Sequence, residues 1–158
     1  MRAQGAQAAH GIPQTIRLEQ RDILNELTAI SERKTRTGEI AREALEVFKA
    51  HIRRDNEYIL PPLTLVSAIA EGHVTPDMRW AIAMADRIKA DREIIFKERT
   101  ETTKLMSELR EAAERSNEHD VMEFARKAVR YFEEDAELTE PTAILVGEFL
   151  RAKLPPGP

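Results

Sequence analysis

The chain has 158 residues, of which 33% are charged and 5% are aromatic. Its formal net charge is −4, and it contains no cysteine. This length fits one domain, and the abundance of Ala, Leu, Glu, Arg and Lys favours an all-α fold. The absence of cysteine excludes disulfides and thiolate sites. The sequence shows neither a basic stripe for nucleic acid nor an apolar run long enough to span a membrane. These features predict a cytoplasmic protein.

The chain divides into an expected flexible leader at residues 1–13, a helical domain at 14–154 and a tail at 155–158. The first helix is predicted from about Thr15 to Arg33, and Gln20 falls within its apolar stripe. A second helix should run from about Glu39 to the proline pair at 61–62. Proline breaks a helix interior, so a short helical extension is expected after Pro61.

Thr75, followed by proline and aspartate, predicts the start of a third helix of roughly 40 residues, which would span about 60 Å and should therefore bend near 90–93. Phe96 is expected on its inward stripe. Asn117 is predicted to cap the last long helix, whose inward residues should include Leu138. This helix is interrupted at Pro141 and then continues as a second short extension.

One helical turn carries both a histidine and an aspartate on an otherwise apolar face. Continuing the period of the upstream apolar residues places His51 and Asp55 inward. A buried carboxylate costs several kcal/mol unless it is paired, hydrogen-bonded or bound to a cation. The chemistry of this chain is therefore expected at His51 and Asp55.

The two halves of the chain repeat one pattern. His51, Asp55 and Pro61 are matched by Tyr131, Asp135 and Pro141, each pair 80 positions apart. The first helices of the halves also correspond, with Gln20 matched by Thr102. Two helical hairpins of one design predict an antiparallel four-helix bundle. Its central layer should hold six inward polar residues: Gln20, His51, Asp55, Thr102, Tyr131 and Asp135.

Two motifs carry a family resemblance that covers residues 14–154. HIRRDNEYILPPL begins at His51, and PTAILVGEFL begins at Pro141. Both resemble motifs of the hemerythrin-like family, also called the HHE cation-binding domain, where the first reads H-x-x-x-E before an apolar pair and proline. In this chain Asp55 stands for that glutamate. The resemblance implies a non-haem di-iron centre held by imidazoles and bridging carboxylates.

The chain departs from the family's ligand set. Where the resemblance implies histidines it has Gln20, Thr102 and Tyr131, so His51, Asp55 and Asp135 alone keep a good ligand type. Glu98 is a candidate replacement carboxylate, whereas Glu57 and Glu137 fall off the inward face. We therefore expect a degenerate site with at most weak metal affinity and no resident cofactor.

The expected function is a non-catalytic binding or regulatory scaffold. No Gly-rich phosphate loop, serine nucleophile setting or HExxH motif indicates an enzyme. Two alternatives stay open: a protein that binds or senses oxygen through mononuclear or dinuclear iron held by an altered ligand set, and a structural module that forms a homodimer. Trp80 fits either core packing or a dimer face. The sequence identifies no protein partner.

Overall fold

The computed structural model describes residues 10–157, and this part of the chain is all-α, without a strand. Its α-helices are α1 Gln14–Ser31, α2 Arg36–Arg54, α3 Val66–Ala70, α4 Trp80–Ala90, α5 Arg92–Arg115, α6 His119–Glu134 and α7 Glu140–Lys153. Shorter helical turns join them: π-helical turns at Asp55–Ile59 and Asp135–Thr139, and 3₁₀ turns at Pro61–Leu65 and Pro76–Arg79.

The four long helices α1, α2, α5 and α6 enclose the main apolar core. α1 packs on α2, α5 packs on α6, and further contacts join α2 to α5 and α1 to α6. Each helix buries a stripe of period 3.6, so that side chains such as Leu27, Phe48, Leu109 and Phe132 are fully or almost fully buried. This core surrounds the predicted polar positions.

A second packing unit joins α4 to α7 beside the ends of the long helices. Gly147 on α7 allows the close approach, because an added Cβ would overlap the Cβ of Ala85 on α4. Trp80 lies at the start of α4 and packs partly buried against this unit, and the imidazole of His10 stacks on its indole at 3.8 Å. The rest of the predicted leader, residues 1–9, lies outside the described residues.

The structure confirms the predicted break in the long third helix, but it contradicts two predicted helix caps. The long third helix breaks at Asp91, within the predicted range, into α4 and α5. Asn117 does not cap α6: it has a φ of 57° and follows the end of α5, where a left-handed residue completes the last turn. Thr75 makes no side-chain cap hydrogen bond to the following turn.

Two apolar residues predicted inward are exposed. Phe96 is 66% exposed because Ile95, seven positions before Thr102, takes the inward position of α5. Leu138 is 65% exposed because it follows the start of a π-helical turn, whose wider spacing rotates later residues away from the 3.6-residue period.

Among residues 10–157, no helix combines the length and the apolar character needed to cross a membrane.

Candidate functional site

A layer of polar side chains crosses the centre of the apolar core. His51, in the last turn of α2, is fully buried, and the ring of Phe132 on α6 packs against its imidazole at a centroid distance of 4.8 Å. We call this set the buried polar layer; it consists of Gln20, His51, Asp55, Glu98, Tyr131 and Asp135. The helical period placed five of the six inward, and the structure brings all six together.

Both ring nitrogens of His51 lie against carboxylates. Nδ1 is 3.0 Å from Oε1 of Glu98 on α5, and Nε2 is 3.1 Å from Oδ2 of Asp135. Nε2 is also 3.2 Å from Oδ2 of Asp55, one helical turn along the chain. An ionised carboxylate can only accept, so both nitrogens make good hydrogen bonds to ionised partners when each carries a proton. The geometry therefore favours the imidazolium form.

The charges around His51 support this protonation state. Burial favours the neutral ring, but the negative charge of Asp55 and hydrogen bonds to Asp135, Asp55 and Glu98 outweigh it and hold the pKa of His51 well above its usual value. Burial and the charge of Asp55 raise the pKa of Asp135 to about 7, although His51 opposes that rise. The layer thus retains protons that its residues would release in water.

The opposite side of the layer is closed by neutral groups. The hydroxyl of Tyr131 donates to Oδ2 of Asp55 at 3.1 Å. Gln20 Nε2 donates to the Tyr131 hydroxyl at 3.0 Å and to Oδ1 of Asn56 at 2.9 Å. Burial and the charges of Asp55 and Asp135 raise the pKa of Tyr131, so the phenol keeps its proton. A protonated phenol is a poor metal ligand.

Glu98 connects the layer to the break between α4 and α5. Burial alone would raise its pKa, but the hydrogen bonds from His51 and Arg54 lower it. Arg54 donates to Glu98 at 3.3 Å and to the hydroxyl of Tyr58 at 3.1 Å, and Tyr58 donates to Asp91 at 2.8 Å. Glu98 is therefore held as an ionised acceptor for His51.

Other candidate positions lie apart from the layer. Thr102 is fully buried, but its hydroxyl donates to the backbone carbonyl of Glu98 within α5. Glu57 is exposed and pairs with Arg87, and Glu137 is exposed as well. These three side chains are not positioned as ligands.

Each half of the chain has a π-helical turn that begins at its inward aspartate. The amide of Leu60 donates to the carbonyl of Asp55 at 2.8 Å, and the amide of Glu140 donates to that of Asp135. Such turns are frequent at functional sites because the extra residue re-aims side chains. In this chain the first turn brings Asn56 to Gln20.

The layer does not fit a di-iron centre, but one feature fits a single cation. Gln20, Thr102 and Tyr131 supply no imidazole, and two irons require several strong donors each. Oδ1 of Asp55, in contrast, is buried without a hydrogen-bond partner among the described residues. One ligand atom each from His51, Asp55 and Asp135 lie within 4.8 Å of one another.

Sequence reasoning missed Arg54 and Asn56. Arg54 carried a signal, since it lies four positions before Tyr58 on one helix face. Asn56 carried none, because a regular helix would turn it away from Gln20.

Comparisons with protein-family models, curated proteins and solved structures found no match to this chain. The resemblance to the hemerythrin-like family therefore rests on the sequence motifs.

Proposed function

We propose that this chain is a hemerythrin-like antiparallel four-helix bundle, built from two pseudo-repeated hairpins, whose metal site has become a proton-linked polar layer. It acts as a non-catalytic binding or regulatory scaffold with at most weak metal affinity. The paired motifs, the contacts among α1, α2, α5 and α6, and the π-helical turns at Asp55 and Asp135 support the bundle.

One observation carries the functional part of the proposal: His51 has both ring nitrogens engaged by carboxylates. A metal must displace a proton from one of these nitrogens before it can bind there. The protonated ring of His51, together with a proton on Asp135 below its pKa of about 7, offsets the charge of the buried carboxyl groups without an ion. Hydrogen bonds of His51, in place of metal–ligand bonds, then join α2 to α5 and α2 to the turn after α6.

Iron loading tests this proposal. Metal-free protein is mixed anaerobically with Fe(II), exposed to air and desalted, and then bound iron and oxo-bridge charge-transfer absorption are measured. The wild-type chain should hold far less than one iron. The triple variant Gln20→His, Thr102→His and Tyr131→His should gain iron, because it restores imidazoles at the places where the resemblance implies them.

The matched control adds His51→Gln to the triple variant and should lose the gained iron. Stoichiometric iron with charge-transfer absorption in the wild-type chain would overturn the proposal. A triple variant that folds but takes up no iron would argue against the hemerythrin-like arrangement.

A second candidate function is the binding of a single divalent cation by an altered ligand set. The unpartnered Oδ1 of Asp55 favours it, together with the close approach of ligand atoms from His51 and Asp135. Glu98 would then accept the Nδ1 proton of His51, as carboxylates do behind metal-bound histidines. Calorimetric titration with Mn²⁺ or Zn²⁺ at pH 6 and pH 8 tests this function, and affinity should rise with pH because the cation competes with a proton.

A further inference from the structure

Three arginines line one groove on the surface between α5 and α6. Arg126 and Arg130 are four positions apart and therefore share a face of α6, and Arg110 approaches from α5. The groove has a volume of about 370 Å³. Arg110 lies 16 positions before Arg126, and the segment between them carries several acidic residues. Only the packing of α5 on α6 brings Arg110 to the other two arginines.

The charges of this groove are incompletely balanced. Arg126 and Arg130 have no ion-pair partner in the part of the chain that the structure describes, and Arg110 contacts Glu114 at 3.8 Å. Glu133 is the one acidic residue among the groove's lining residues. Positive charge therefore accumulates here, on a chain whose net charge is −4.

The rest of the groove lining supplies hydroxyl donors and an apolar floor. Thr103 and Ser107, four positions apart on α5, present hydroxyl groups at the groove. Buried Met106 and Ala125 and half-buried Val129 form the floor. An occupant that matches this lining has an anionic group with several acceptor oxygens and a small apolar body.

We propose that the groove between α5 and α6 binds a small phosphomonoester with an apolar body. A phosphomonoester carries a charge of roughly −1.5 to −2 near neutral pH, which matches the two arginines without a partner. Its three terminal oxygens can accept from guanidinium forks and hydroxyls together, more donors than one carboxylate readily uses. The site lies on the outer surface of α5 and α6, so the proposal does not depend on the buried polar layer.

The probe is phenyl phosphate, titrated into the ¹⁵N-labelled full chain and followed by amide chemical shifts. Saturable changes should be confined to residues 103–110 and 125–133. The double variant Arg126→Gln and Arg130→Gln should weaken binding by at least about tenfold, because it removes two charge-assisted contacts. Arg21→Gln is the matched control: it removes an exposed arginine on α1 and should change affinity less than about twofold.

One further variant and one further ligand test the charge and the apolar floor of the groove separately. Glu133→Gln should tighten binding, since it removes the carboxylate that repels the phosphate. Inorganic phosphate should bind more weakly than phenyl phosphate because it cannot use the apolar floor. The proposal is overturned if the double variant binds like Arg21→Gln, if the shift changes spread over other helices, or if a poly-glutamate peptide binds more tightly than phenyl phosphate.

Discussion

His51 Nε2 lies 3.1 Å from Oδ2 of Asp135, a residue 84 positions later in the chain. This contact joins α2 to the π-helical turn that follows α6. It also joins the two halves of the repeated sequence pattern through a buried, charge-assisted hydrogen bond. Its strength depends on the protonation of His51 and Asp135, so the stability of the fold should depend on pH.

Removing the histidine should destabilise the fold strongly. In His51→Gln the carboxylates of Asp55 and Asp135 remain buried without their cation. Breaking a buried ion pair in this way costs about 3–5 kcal/mol. Urea unfolding at pH 7 measures the loss. His73→Gln is the control, because the side chain of His73 is 72% exposed and its replacement should leave stability nearly unchanged. Equal effects of the two substitutions would contradict the account.

Stability should fall as pH rises through the neutral range. Asp135 has a pKa of about 7 in the fold against 3.8 in a free side chain, so the folded state binds more protons over this interval and loses its advantage as pH approaches 7. The pKa of His51 is raised too, so its contribution is complete below about 6.5 and is lost as pH rises through the folded value. The lowered pKa of Glu98 acts oppositely: its contribution is lost as pH falls below 4.5.

Urea unfolding at pH 5, 6, 7 and 8 checks this dependence. Asp135→Asn keeps the side-chain shape but removes one titrating group, so it should flatten the slope between pH 5 and pH 7. A wild-type profile that is flat or rises across the whole range would contradict the proposed protonation of the layer.

Close packing of α4 on α7 should depend on Gly147. Gly147→Ala places a methyl group against Ala85 and should cost about 1–3 kcal/mol through overpacking. Thermal unfolding measures the loss. Gly11→Ala is the control, because an added Cβ there meets nothing within 4 Å. The double variant with Ala85→Gly should be more stable than the sum of the two single effects implies, because the smaller residue makes room for the added methyl group. Strictly additive effects would show that the two side chains do not contact each other.

Regular periodicity predicted much of this fold and of its polar layer. The inward positions of Gln20, His51 and Tyr131 follow from the apolar stripes of their helices, because the 3.6-residue period fixes which side chains face a core. Composition alone indicated the all-α class. The break at Asp91 was predictable because an unbroken helix would have been much longer than the helices beside it.

Other features depend on departures from that period. The prediction that Leu138 faces inward was wrong because the π-helical turn at Asp135–Thr139 contains more residues than a regular α-helical turn. No local residue type signals such a turn. The same irregularity hid Asn56. The protonation of His51 depends on Glu98 and Asp135, which reach it from other parts of the chain. Hydrogen bonds of this kind form only through tertiary packing, which the local sequence pattern does not specify.

The protonation of His51 is the most direct test of the account. Long-range ¹H–¹⁵N correlation spectra at pH 7.5 report each ring nitrogen, and His51→Gln identifies the signal among the four histidines of the chain. Both nitrogens of His51 should carry protons at this pH. A neutral ring with one bare nitrogen at pH 7.5 would contradict it.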